Sequence, residues 1–359
     1  MRALAVAQVA NQELQDSIHI NGPHVLHTTA DGHEVQAIDY AFDLTTYDFG
    51  LSKFDGLVFG SRGSCYTEYG WYKGVAEGSN AEVYLVNFGN GGNSTRIEVS
   101  NNGWAPLATF TFGDQIDSPA GRNRTFAIFV SSFDRWSISL STDPLYETRV
   151  VNASDPDNVQ HQVLRGRPAL NCWTLSSWRY KGHEPVGTWR LPEIPGLGVT
   201  EIWRDAFWEL VEISPANVGQ YLDSIALASS QKKGMCGFDG DACSWGEDLR
   251  RLVLTTRVYM ANLLINTTLY NSSLAFGENT NSEAKGYTMK GYTNLLKTQE
   301  QKDELASFVV KAGENVSTLD VKFLIAVPLA QLLLFAITYL IRYRAKKKTR
   351  EWDEQEENS

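Results

Sequence analysis

Nineteen consecutive residues, Phe323 to Ile341, contain no Asp, Glu, Lys, Arg or His. As a helix this run reaches roughly 28 Å, close to the hydrocarbon thickness of a bilayer. Pro328, Gln331 and Thr338 interrupt its apolar character, but lipid-embedded helices tolerate such residues. A helix buried in a globular core seldom runs so far without a charged face, so the segment is predicted to span a membrane. That prediction divides the rest of the chain between two compartments.

The flanks set the direction. Arg342, Arg344, Lys346, Lys347, Lys348 and Arg350 follow the run, whereas Lys322 stands alone before it. The positive-inside rule then puts residues 342–359 in the cytosol as a tail and everything before Phe323 outside it. The full chain carries 32 basic and 42 acidic residues; removing the six basic and five acidic residues beyond Ile341 leaves 26 against 37, a balance of −11. So acidic a domain argues against nucleic acid and phospholipid headgroups as its partners. The basic cluster after the span reads as a stop-transfer anchor.

Two further features fit the secretory route. N-x-[ST] sequons occur at Asn93, Asn123, Asn152, Asn266, Asn271 and Asn315, all before the span and none after it. They are candidate glycosylation sites, each of which must lie on the surface if occupied. Four cysteines, Cys65, Cys172, Cys236 and Cys243, are disulfide candidates in an oxidising compartment. They allow three pairings. Cys236 with Cys243 is favoured, because the Gly-rich "CGFDGDAC" joins near neighbours, and it leaves Cys65 with Cys172 as a long staple. The N-terminus "MRALAVAQVANQELQ" lacks the uninterrupted apolar core of a signal peptide. The expectation is therefore that upstream sequence carries the translocation signal.

Residues 1–40 are hard to read, with a short helix expected over 3–16 and loop after it. Residues 41–182 alternate short β-type runs with turn signals. The runs are "LVFGS", "EVYLVNF", "TRIEVS", "LATFTF", "RTFAIFVSS", "WSISLS", "YETRVV", "QVLRG" and "LNCWTLSSWRY". Together they predict an antiparallel, sandwich-like domain. Residues 183–271 form a helical segment. "VTEIWRDAFWELVEIS" places Val199, Ile202, Trp203, Ala206, Phe207, Leu210 and Val211 on one face. Ser214-Pro215 reads as a cap and first residue. Ser244 and Glu247 read as a capping box before "DLRRLVLTTRVYMANLLIN". Residues 272–322 are polar and predict a stalk-like return to the membrane. The fold class is α+β, β-rich, with a following helical segment and one C-terminal transmembrane helix.

No nucleophile elbow, Walker loop, dinucleotide fingerprint or zincin motif occurs. His24, His27, His33 and Glu34 group in sequence, but their irregular spacing reads as surface histidines. Asp239 and Asp241 lie in a loop too short for a calcium site and without a following Glu. No catalytic, cofactor-binding or metal-ligating residue is assigned, and no cofactor is expected. Trp71, Trp104, Trp136, Trp173, Trp178, Trp189, Trp203 and Trp208 are expected mostly in the core; any that are exposed could stack on sugar rings.

Several ordered segments resemble a group of uncharacterised fungal membrane proteins. They are Arg165–His183, "SRGSCYTEYGW" at Ser61–Trp71, "EIPGL" at Glu193–Leu197, "LRRLVLTTRVYMANLLINTTLY" and "LIAVPLAQLLLF". The resemblance implies an extracytoplasmic Trp- and Cys-bearing domain between an N-terminal membrane region and a C-terminal span, with Cys65 paired to Cys172. It implies no activity, and this chain departs from it in having no N-terminal span. The expected function is that of a single-pass membrane glycoprotein in the plasma or secretory-pathway membrane. Its ectodomain would bind or contact cell-wall or matrix glycans or another membrane protein. The alternatives are a membrane-anchored carbohydrate-active hydrolase and an accessory subunit of a membrane complex.

Overall fold

The computed structural model of the chain describes residues 16–51, 53–78, 81–89, 94–100, 107–131, 136–151, 159–211, 213–221 and 239–269. The chain divides into two units, Met1–Lys311 and Ala312–Ser359, and every described residue belongs to the first. The predicted span lies outside the described residues. Among those described, no helix is long and apolar enough to cross a membrane.

The first unit is β-rich, with antiparallel sheets and few helices. Its strands are β1 (Ile18–Thr28), β2 (Glu34–Thr45), β3 (Leu57–Glu68), β4 (Tyr72–Val75), β5 (Ala81–Val86), β6 (Thr95–Ser100), β7 (Leu107–Ser118), β8 (Gly121–Ser131), β9 (Trp136–Ser137), β10 (Thr148–Val151), β11 (Gln160–Val163) and β12 (Ala169–Tyr180). A six-stranded sheet runs in the order β1-β2-β3-β12-β8-β7; β4-β5-β6 and β10-β11-β9 form two smaller sheets. The chain leaves the large sheet after β3, returns with β7 and β8, leaves again, and closes the gap with β12. Among the described residues three α-helices follow: α1 (Glu201–Val211), α2 (Pro215–Tyr221) and α3 (Trp245–Leu269).

Alternation along the long strands decides which face is covered. Ile38, Tyr40, Phe42 and Leu44 of β2, Phe59 of β3, Phe126 and Ile128 of β8 and Trp178 of β12 all enter one core. Trp203 and Phe207 of α1, Val218 of α2 and Leu249, Leu252 and Val253 of α3 fill its other side. Trp178 is its hub, with ring centroids 4.7 Å from Phe207 and 5.1 Å from Phe59. Its indole N–H donates to Thr188 at 3.0 Å, so a polar atom at the bottom of the core keeps a partner. A second, smaller core forms on the opposite face, where Tyr84, Val86 and Val99 of the β4–β6 sheet meet Ala127, Phe129 and Ala169. The sandwich therefore extends over only part of the large sheet.

Each of the nine β-type runs overlaps a strand, "QVLRG" only at Gln162 and Val163. Two longer strands, β1 and β2, occupy the segment where the sequence suggests loop. β1 escapes recognition because nearly every side chain after Ile18 is at least partly exposed, so it has no buried alternation to read. "WSISLS" is a strand only at Trp136–Ser137, and its polarity is inverted: Trp136, Ile138 and Leu140 face solvent while Ser137 and Ser141 are buried. Ser137 and Ser139 turn inward because they accept the backbone N–H groups of Gly240 and Asp241, both at 2.8 Å.

The helix starts follow the capping signals. Asn217 N–H donates to Ser214 Oγ at 3.4 Å while Ser214 N–H donates to Asn217 Oδ1 at 3.0 Å, and Pro215 opens α2. Glu247 N–H donates to Ser244 Oγ at 3.4 Å at the start of α3. Cys65 and Cys172 face each other in the β3–β12 register and are disulfide-bonded across 107 residues. In the chain-entropy model a loop of that size contributes about 5 kcal/mol. Cys243 is buried, with Sγ 3.0 Å from the Asp239 carbonyl oxygen. Its favoured partner, Cys236, lies outside the described residues.

Candidate binding face

Where the β4–β6 sheet stops, the large sheet shows a bare face. The boundary is set by Phe88, whose ring lies over Gly113; a Cβ there would sit 2.4 Å from the ring, so only glycine fits beneath it. Beyond it, Trp173, Leu175, Ser177 and Arg179 of β12 point outward, alternating with buried Cys172, Thr174, Ser176 and Trp178. The antiparallel register extends these into rows. Asp39, Ser64, Trp173 and Thr125 form one; Ala41, Arg62, Leu175, Asn123 and Ile116 form the next. His19 and Asn21 of β1 continue the two rows to the sheet edge. Arg179 and Asp43 close the face at one end as an exposed ion pair.

Trp173 is 37 % exposed, in a central strand whose inward neighbours are almost fully buried. Arg62, diagonal to it on β3, and Asp39, two strands away in its own row, are both exposed. One row away, Asn171 donates its side-chain amide to Tyr66 Oη at 2.6 Å. The face thus combines one aromatic plane with donors and acceptors at strand spacing. At the β1–β2 edge it runs into an open pocket of about 460 Å³. His19, Asn21, Asp39 and Ala41 belong to both, and Asp16, Ile18, Ile20, Tyr40 and Arg250 complete the pocket wall.

The backbone beneath Trp173 is fixed from the core side. Tyr40 lies directly across from Gly63; a Cβ on Gly63 would meet the Tyr40 ring at 2.4 Å and the Trp173 carbonyl oxygen at 2.3 Å. The Tyr40 hydroxyl donates to that same carbonyl at 3.4 Å, and burial drives its pKa far above the ordinary phenol value.

Of the eight tryptophans singled out in the sequence, Trp71, Trp178 and Trp203 are buried and Trp208 partly so; Trp136, Trp173 and Trp189 are exposed, and Trp104 lies outside the described residues. Trp189 packs against Trp208 at a tilt, with ring centroids 4.5 Å apart, and Arg204 and Arg122 cap the two ends of the pair. That pair joins α1 to the 3₁₀ turn Thr188–Glu193 and already has its cations. The histidine group does not converge: His33 stacks on Tyr69 at 4.5 Å, while His24 sits 4.0 Å from Asp39. Among the described residues no three His, Cys, Asp or Glu side chains could hold a metal. Asp239 accepts from Ser139 Oγ at 2.5 Å, part of the latch beneath α3.

An acidic cluster of partly buried Asp143 and fully buried Asp248 was not legible in the sequence. Asp143 accepts the backbone N–H groups of Trp245 at 2.9 Å and Leu145 at 3.0 Å. Nearby, the Tyr146 hydroxyl donates to Asp248 at 2.5 Å. Burial raises Asp143 to about 6 despite those donors, and Asp248 adds to the rise. The first turn of α3 is thereby held against the loop before β10, away from solvent, so the cluster's work is structural.

Of the sequon asparagines, Asn123 is exposed on the bare face and Asn266 lies within α3. Asn93, Asn152, Asn271 and Asn315 lie outside the described residues. A family model described as a domain of unknown function (DUF8406) matches residues 1–296. No curated protein and no solved structure matches the chain.

Proposed function

The chain belongs to the DUF8406 family, and we propose that it is a single-pass membrane glycoprotein whose β-rich domain, outside the cytosol, binds an extended carbohydrate chain across the bare sheet face. The membrane part of this reading is supported by the uncharged run Phe323–Ile341, its basic C-terminal flank and the six upstream sequons. The disulfide Cys65–Cys172 fits an oxidising compartment, and the likeness to fungal membrane proteins points the same way.

The binding part rests on one observation: Trp173 lies exposed in the middle of a regular sheet, with Arg62 and Asp39 on the same surface. A flat aromatic face with Arg62 diagonally across on the next strand and Asp39 two strands away, about 10 Å at ordinary strand spacing, suits a short run of pyranose rings. The open pocket at the β1–β2 edge extends the surface by one more subsite. Asp16 and Asp39 in its wall give the alternative, a carbohydrate-active hydrolase, a pair of carboxylates to work with.

Retention of the full-length chain on insoluble β-glucan, chitin and mannan tests the reading. Trp173→Ala is expected to weaken retention on one of them at least tenfold while leaving Tm within about 2 °C, as for a surface change. Equal retention of the variant and the parent chain, or no retention on any polysaccharide, refutes it. Release of reducing ends that is lost in Asp39→Asn would replace binding by hydrolysis.

A further inference from the structure

Resting on the membrane-glycoprotein reading, we infer that Asn123 carries an N-linked glycan that lies over Ile116 and Leu175 and roofs the β7–β8 end of the bare face. Three observations carry this. First, the register leaves Asn123 nowhere else to point. Its neighbours Arg122 and Arg124 are both buried on the core side. Arg122 pairs with Asp117 at 2.5 Å and stacks on Trp208 at 3.8 Å.

Second, the two residues directly opposite Asn123 are apolar: Ile116 on β7 and Leu175 on β12. Ile116 is 53 % exposed, on the outermost strand of the sheet. An edge strand with an outward apolar side chain invites pairing with another chain. A sugar attached between these two residues covers their side chains and stands guard over that edge. Third, the sequon is complete in place, since Thr125 lies on the same face with its hydroxyl turned to the Asp114 carbonyl at 3.3 Å.

The attachment forms a bond between Asn123 Nδ2 and the anomeric carbon of an oligosaccharide carried on a polyprenyl pyrophosphate. It breaks the bond from that carbon to the pyrophosphate oxygen, and the amide proton leaves with the lipid pyrophosphate. The consequence is spatial. Asn123 lies three strands from Ala41, roughly 14 Å at ordinary strand spacing. The glycan walls off the β7–β8 end, and a ligand is confined to the surface from Trp173 through Arg62 to the pocket at β1–β2.

The test is glycopeptide mass spectrometry on the full-length chain made in a eukaryotic secretory host, alongside Asn123→Gln, Thr125→Ala and Asn152→Gln. Asn123 is expected to be occupied. Asn123→Gln and Thr125→Ala should each lose one glycan and bind at least twice as much of an apolar fluorescent dye, with Tm within about 2 °C of the parent. Asn152→Gln should lose a glycan without the dye response. An unmodified Asn123 beside other occupied sequons overturns this inference alone, as does an unchanged dye signal in both Asn123-site variants. A chain with no occupied sequon overturns the membrane-glycoprotein reading and this inference with it.

Discussion

Arg167 is the side chain whose loss should cost this domain most for its size. It is 2 % exposed and donates to Glu82 Oε2 at 3.1 Å, Val130 O at 2.9 Å and Leu145 O at 3.0 Å. Those acceptors belong to β5, β8 and the loop before β10, so one guanidinium ties a small sheet and a loop to the large sheet. Glu82 is fully buried, and burial raises its pKa even though Arg167 pulls the other way. Breaking a buried pair from one side costs about 3–5 kcal/mol, because the remaining charge stays in a site that cannot solvate it. Arg167→Met should therefore cost about 4 kcal/mol at pH 7 and Glu82→Leu about 3 kcal/mol. The double variant should cost only about 2 kcal/mol, chiefly for the carbonyls of Val130 and Leu145 left without donors. Without Arg167 the Glu82 pKa rises further, so the folded state of Arg167→Met takes up a proton that the unfolded chain releases. Its deficit should then shrink as pH falls from 7 to 5. Urea-dependent pulse proteolysis of the full-length chain in detergent measures all three variants at both pH values. Single variants that each cost under about 1 kcal/mol, or a double variant whose cost is the sum of the singles, would refute the reasoning.

Two other outcomes follow from the packing. Asp143 has a folded-state pKa of about 6, above its unfolded value. Its contribution therefore raises stability as pH falls through 6, by about 1 kcal/mol between pH 7 and pH 5; comparing the denaturation of Asp143→Asn at the two pH values should show that gain removed. Gly63→Ala places a methyl group against the Tyr40 ring and a backbone oxygen. It should lower stability by about 2–4 kcal/mol, measured as a drop in Tm and in urea midpoint.

The helices and most strands were legible because their signals are local. Ser214-Pro215 and "SWGE" name their own caps, and strands such as β8 and β12 carry β-branched and aromatic residues between Gly- and Asp-rich turns. β1 and β2 were not, because β1 has little buried alternation and acquires its strand only by pairing with β2. The candidate face was half legible. The sequence marks Trp173 and Asn123 separately, as one of many tryptophans and one of six sequons. Only register, a long-range property, places them on neighbouring strands of one surface. Arg167 and Asp143 carry no sequence signal at all, since a buried ion pair and a partly buried helix cap look like ordinary surface charges until the chain is folded.

The strand order has a consequence in time. β3 and β8 each wait for β12, the last of the six strands of their sheet to be made, before they have a neighbour on that side. At about 5–20 residues per second, the 107 residues between Cys65 and Cys172 take roughly 5–20 s to synthesise. During that interval the chain holds two half-sheets with open inner edges and a cysteine whose partner does not yet exist. Everything that gives the large sheet its continuity arrives together, in the twelve residues of β12. A nascent chain stalled before Ala169 is therefore two exposed fragments, and one stalled after Tyr180 has every strand of its large sheet.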